Sequence, residues 1–414
     1  MRLPALPSAA VAAFAALALA AGCSSSTSGS SAASGDDAGA DSGASLQTVH
    51  FQMQADVAAG AEMFKCQFVS LPAAAGWMVA GKHTYTPGSH HLLMYTTDLT
   101  SIPAGGDQVQ DCYEGTNNNI MSHVRGVLYG GQTPTGGEQL PPGVGLRTTA
   151  SQVLLFQVHY LNAGATDLHA QVDVDLTIDE GSDITTNAGI LFFYDPFIDV
   201  PPGATAKASM RCTIPDDITL VGAASHYHAR GTGYGAYVDP GVDQLATTPF
   251  YTSTSWSSPN QLSTSMQIKA GSRIRFECDY DNANGTQEYF QGPSAQNNEM
   301  CMFIGTYYPD MGQLADYCLT GPDMFGTGSA TCADTMTCMQ SCGSAALGAS
   351  APPCVQKCVV QSCPKASTSL IPLLECVKNS CSKQCGGANS SACTTCVASS
   401  CGSQWTACQQ QSCN

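Results

Sequence analysis

Ser89-His90-His91-Leu92-Leu93-Met94-Tyr95 sets the reading of the whole chain. Two adjacent imidazoles open an apolar, β-prone run, and a packed core has no use for such a pair. Histidine is the commonest metal ligand, and two held on one strand form half of a metal site. A single pair means little until the chain supplies partners. His159 lies in Phe156-Gln157-Val158-His159-Tyr160, a second strand pattern, where a lone histidine is by itself more often a core or turn residue. His226 and His228 stand in Ser225-His226-Tyr227-His228. On a strand, positions i and i+2 share a face, so both rings converge on one ion. His90 and His91 do not share a face in a regular strand and need a twist, a bulge or different ring nitrogens to reach one metal.

Working outward, Met300 in Asn297-Asn298-Glu299-Met300-Cys301 completes the set. A methionine alone is a packing residue; beside two histidines it is a soft ligand. Three histidines in one block, and two histidines with a thioether in the next, predict two separate sites suited to copper. Zinc-hydrolase H-E-x-x-H is absent, as are a Ser-His-Asp pattern, a phosphate-binding loop and a dinucleotide fingerprint. His50, His83, His123 and His169 belong to no motif and are expected to be structural.

The chain has 414 residues, 11% charged, with a net charge of −17, which argues against nucleic acid as a partner. Asp173, Asp175, Asp179, Glu180 and Asp183 are expected on a solvated face. Short β-prone runs alternate with turn clusters such as Gly130-Gly131, Gly136-Gly137 and Pro141-Pro142-Gly143, the pattern of all-β sandwiches. Pro201-Pro202-Gly203 suggests a boundary. The expected organisation is a block over 48–198, a second over 199–325 and a cysteine-rich module over 326–414.

Residues 1–23 read as an export signal, with Arg2 ahead of the apolar run Ala9–Ala21. Leu19-Ala20-Ala21-Gly22-Cys23 resembles a bacterial lipobox, although Ala20 stands where leucine is usual. Residues 24–47 are a Ser/Gly/Ala tether. A lipid-modified Cys23 leaves an even number of the 21 cysteines for disulfides. The expectation is an exported protein, either a lipid-anchored lipoprotein of a bacterial cell envelope or a secreted one. From Cys332 to Cys413 there are 14 cysteines, several spaced C-x3-C: Cys338/Cys342, Cys354/Cys358 and Cys381/Cys385. On a helix this spacing puts both thiols on one face, so two facing helices can be stapled twice. A disulfide-rich helical module is expected, its partner unidentified; a thiolate metal store is the runner-up.

The ordered set HH, QVHY, HxH and EMC resembles the copper type II, ascorbate-dependent monooxygenases, the family of peptidylglycine α-hydroxylating monooxygenase and dopamine β-monooxygenase. The likeness runs from about Thr48 to Pro322. It includes Phe64-Lys65-Cys66, Asp111-Cys112-Tyr113-Glu114-Gly115, Leu140-Pro141-Pro142-Gly143-Val144-Gly145-Leu146-Arg147 and Tyr307-Tyr308-Pro309. The resemblance implies two tandem jelly-roll-like β-sandwich domains, each holding one copper. His90, His91 and His159 would hold the electron-supplying copper; His226, His228 and Met300 would hold the catalytic copper that binds oxygen and substrate. It also implies disulfides Cys66–Cys112, Cys212–Cys318 and Cys278–Cys301. The implied reaction is hydroxylation of a C–H bond in a small organic substrate by O2, with ascorbate or an equivalent reductant.

Two departures bear on substrate. The arginine that grips the substrate carboxylate in the peptide-hydroxylating member of the family is matched by Ala224, and its partner tyrosine by Ile304, so peptidyl-glycine is not the expected substrate. Arg230 is expected in a surface or ion-pair role. The alternative to an enzyme is a non-catalytic copper-binding cell-surface lipoprotein that keeps the scaffold.

Overall fold

The structure, a computed structural model, describes residues 46–113, 120–181, 183–241, 244–319, 322–342, 351–385 and 391–414. The signal segment with Cys23, the tether up to residue 45 and the Glu114-Gly115 pair lie outside the described residues. The chain is mostly β, with a small disulfide-rich helical region at its C-terminal end.

Strand Leu168–Asp179 shows how the first block is built. Ala170, Val172, Val174, Leu176 and Ile178 point into the core, while Gln171, Asp173 and Asp175 alternate outward. This places Asp173 and Asp175 on the expected solvated face, where Asp173 accepts from Gln52 and Asp175 meets His50, whereas Asp179, expected there too, is buried and accepts from the Gly181 N–H. The strand pairs with Leu46–Val57 on one side and Gly76–Tyr85 on the other, and Val144–Thr148 continues the sheet. A second sheet runs through Glu62–Ser70, Val153–Leu161, Ser89–Thr97 and Val124–Gly131. Both sheets contribute to one apolar core, with Met53, Met78 and Val174 from the first and Leu92, Met94 and Phe156 from the second. Val153–Leu161 is central in its sheet and buried on both faces, which its near-continuous apolar sequence requires.

The second block holds a four-stranded sheet in the order Gly189–Tyr194, Cys301–Tyr308, Ile218–Tyr227, Leu262–Ile268. A five-stranded sheet is built on Gly231–Asp239, Arg273–Asp281 and Thr205–Thr213. Leu191, Phe193, Leu220 and Phe303 of the former pack with Ala236, Phe276 and Tyr280 of the latter. Gly189–Tyr194 pairs with Cys301–Tyr308, so strand pairing passes to the second block before residue 199, ahead of the Pro-Pro-Gly turn. The turn cluster marked a bend inside the second block.

The helical region confirms the stapling geometry. Helices Cys332–Ser341 and Pro353–Val360 are joined by Cys338–Cys358 and Cys342–Cys354. Ser367–Cys385 and Ser391–Ser400 are joined by Cys381–Cys396 and Cys385–Cys393. Cys332–Cys408, Cys363–Cys413 and Cys376–Cys401 tie the two hairpins and the last helix together. The implied pairs Cys66–Cys112, Cys212–Cys318 and Cys278–Cys301 all form. Every cysteine of the described residues is thus oxidised, which removes the thiolate-cluster reading of the tail. Nor is the tail a pendant: Val355, Val359, Leu370 and Leu374 share the second block's core. Gln356 accepts from the backbone N–H of Ile198 and Gln291 and donates to the Ala351 carbonyl at 2.6 Å.

Candidate metal centre

His91 lies opposite His159 across antiparallel strands, and the ladder is irregular between Ser89 and His91. That irregularity is the bulge an adjacent pair needs. It turns His90 and His91 to one side, their ring centroids 5.1 Å apart and each 5.0 Å from His159. Phe64, in register with His159 on the next strand, stacks on its ring at 3.9 Å. From the second block, His226 lies one residue before the end of strand Ile218–Tyr227, and His228 directly follows the strand. Their Nε2 atoms face one another at 3.2 Å.

The two sets are not apart. His226 stands 5.2 Å from His90 and 4.9 Å from His91, ring to ring, and His228 is 5.9 Å from His90. The two ligand sets, expected as separate centres, adjoin in this structure: the five imidazoles form one continuous cluster at the junction of the two blocks. The ligating atoms of His90, His91 and His226 lie within 4.8 Å of one another. Sequence spacing carried no information on how the blocks dock, and docking sets this distance. Met300 borders the same cavity as His91 and His226, its carbonyl accepting from the Tyr280 hydroxyl at 2.7 Å.

The cluster is electrostatically prepared for a cation. Burial, and then repulsion among the imidazoles, holds His90, His91 and His226 well below the usual histidine range. Burial brings His228 down to about 3. All are neutral at neutral pH, the form that ligates. His90 Nε2, His91 Nδ1 and His159 Nδ1 are buried without a hydrogen-bond partner. Three unpartnered ring nitrogens in one place are costly unless something fills the gap between them. A cluster of neutral imidazole donors fits copper.

Three positioning groups had no sequence signal. Glu62 accepts from His159 Nε2 at 2.7 Å and also takes the Ser294 hydroxyl and the Ala295 N–H of the second block. Burial alone would raise the Glu62 carboxyl; these donors overcome it and hold it down at about 2. Gln132 meets His226 Nδ1 at 2.6 Å through Oε1 and donates to the Ser225 carbonyl. Trp256 packs on His90 at 5.4 Å. Each joins residues far apart in sequence, so no local motif exposes them.

The other assignments are resolved by partners. Arg230 pairs with buried Glu299 at 2.8 Å, the expected ion-pair role, and lies over the Tyr289 ring. Burial pushes Glu299 up to about 7 against the pull of Arg230. His50, His123 and His169 pair with aspartates, and His83 with the Tyr129 hydroxyl, all away from the cluster.

A cavity of about 720 Å³ opens from the cluster between the two blocks. His91, Leu93 and Tyr95 line it from one block, and His226, Ala224, Met302 and Ile304 from the other. Ala224 and Ile304, the two departures from the peptide-hydroxylating pattern, are cross-strand partners and form one apolar rung.

Fold and site together define a β-built protein with a histidine cluster, a candidate metal centre, between two blocks. Residues 186–323 match the sequence model of the copper type II ascorbate-dependent monooxygenase C-terminal domain, a span that carries His226, His228 and Met300. The human protein named "Putative DBH-like monooxygenase protein 2" is 26% identical over 254 residues, 57% of this chain and 49% of that protein. The chain spans about half the length of that curated relative. These matches support membership of the copper type II ascorbate-dependent monooxygenase family.

Among solved structures, the STIV MCP aligns at TM-score 0.30 and 10% identity, over 64% of this chain and 97% of that one. PNGase F, a glycosylasparaginase from Flavobacterium meningosepticum, aligns at 0.26 and 10%, over 63% and 94%. Likeness this low carries no argument.

Proposed function

We infer that the chain is a copper-dependent monooxygenase that hydroxylates a C–H bond of a small organic substrate with O2 and ascorbate or an equivalent one-electron donor. The observation that carries this is the convergence of three orphaned imidazole nitrogens with His226 and His228 at the head of a cavity bordered by Met300. In this reading His90, His91 and His159 hold one copper, and His226, His228 and Met300 a second. Bound copper supplies one-electron steps and the reduction of O2. The overall reaction consumes one C–H bond, one O2, two electrons and two protons, and yields an alcohol and water.

The chain's own residues supply the rest. Glu62 fixes the ring of His159 and Gln132 that of His226, so the ligand nitrogens are aimed before metal arrives. Phe64 and Trp256 cover the cluster and limit water at the reacting end. The paired sheets in each block support jelly-roll-like β-sandwich domains. The ten disulfides among the described residues support an oxidising compartment and hence export, and a lipid anchor at Cys23 belongs to the same reading. Among the described residues, no helix is long and apolar enough to cross a membrane.

Copper titration with ascorbate-driven O2 uptake tests the reading. Two coppers per chain are expected, and Met300→Ala should abolish turnover while His90, His91 and His159 stay loaded. Protein that binds no copper, or one tight ion indifferent to Met300→Ala, overturns it.

A further inference from the structure

The cavity has a far end as well as a metal end. Along Cys301–Tyr308, residues Met302, Ile304 and Thr306 alternate onto its wall, paired rung by rung with His226, Ala224 and Gly222. From the Met302 rung to the Thr306 rung is four residues, roughly 13 Å of strand. The trench therefore runs lengthwise away from the histidines.

At that far end stands Glu138, from strand Thr135–Gln139 of the first block. The Thr306 hydroxyl donates to its Oε2 at 2.9 Å. Oε1 has no partner among the described residues. Gly222 makes the room: a methyl group there would stand 2.8 Å from Oε1. Among the described residues no lysine or arginine borders the cavity, and the rung between its ends is Ala224 with Ile304. A carboxyl group held in an apolar trench, with one oxygen unused and no cation near it, is half of a hydrogen-bonded pair. Burial raises its pKa against the Thr306 hydrogen bond, as expected for a carboxyl lacking its partner.

Resting on the monooxygenase reading, we propose that Glu138 with Thr306 and Gly222 forms a head-group subsite for an elongated, apolar substrate whose one polar end donates a hydrogen bond. The trench lays the body of that molecule over Ala224 and Ile304 and delivers its opposite, apolar end to His226 and Met300. Hydroxylation then falls far from the polar head. Anionic heads are refused, because a carboxylate in the trench meets Glu138 and finds no compensating cation.

Calorimetric titration of copper-free and copper-loaded protein with decanol, decylamine and decanoate, each below its micelle concentration, tests the subsite. Decanol and decylamine are expected to bind about tenfold or more tightly than decanoate, whether or not copper is present, with the two donors showing which head is preferred. Glu138→Leu should erase that gap. Gly222→Ala, a smaller change that displaces the carboxylate, should narrow it, and Ala224→Arg should reverse it in favour of decanoate. Decanoate binding as tightly as the donors in the wild type, or a gap untouched by Glu138→Leu in folded protein, overturns the subsite. Because copper-free protein is included, failure here leaves the copper stoichiometry standing, and failure of the copper titration leaves the head-group preference standing.

Discussion

Glu62 shows what a single side chain does at this centre. It takes three donors, one from a candidate ligand and two from the opposite block, so it orients His159 and fastens the blocks at the same point. Glu62→Ala strands these donors. A loss of about 1–3 kcal/mol in unfolding free energy is expected in urea titrations. Copper affinity is expected to fall by about 10–100-fold, since partners of this kind aim metal ligands. Glu62→Gln keeps an acceptor for His159 and should restore part of both. Wild-type copper affinity in Glu62→Ala would show that His159 is aimed by packing on Phe64 alone. The ligands themselves were legible because each motif is local: His226 and His228 share a face by strand periodicity alone. Glu62 and Gln132 were not, because they meet their histidines across 97 and 94 residues.

At the scale of elements, the doubled staples of the tail make a graded prediction. Cys338–Cys358 closes a separation of 20 residues and Cys342–Cys354 lies inside it, closing 12. With the inner bond in place, the outer one restricts only a few more residues of the unfolded chain. The loop it closes is then about 9 residues long, so replacing Cys338 and Cys358 with alanine should cost about 2.5 kcal/mol, and replacing all four cysteines about 5 kcal/mol. Thermal unfolding of the full chain measures both, and equal losses would contradict the nested arrangement. The C-x3-C spacing foretold these hairpins because helix geometry is local. It could not foretell the docking of the tail, which depends on Gln356 finding two backbone donors of the second block.

For the whole molecule, two consequences follow from shared cores. The tail's leucines and valines belong to the second block's core, so a chain ending at residue 325 exposes that core and should be recovered largely insoluble. A soluble, copper-binding truncation would show the tail to be an independent module. Asp195, fully buried after strand Gly189–Tyr194, carries a pH signature. Burial pushes its carboxyl up to about 8, against a hydrogen bond from the Phe197 N–H. The unfolded chain loses this proton near pH 4 and the folded chain keeps it to near pH 8, so the folded state binds more protons in between. Its contribution to stability is complete below about pH 4 and is lost as pH rises toward 8. Asp195→Asn should flatten that decline, read as urea midpoints from pH 5 to pH 8.

The sequence by itself determined the β-rich class, the six candidate ligands, three disulfides of the β blocks and the stapled character of the tail. The class and the staples follow from short-range rules, alternation on strands and one-face spacing on helices; the three β-block disulfides, and the completion of the ligand set, are what the family resemblance implies. Only the tertiary structure decided that the two ligand sets touch, that Glu62 and Gln132 lock them, and that a trench runs from Met300 to Glu138. Those features arise where two blocks meet. The relative placement of two blocks depends on surfaces assembled from strands far apart in sequence, which no local pattern records.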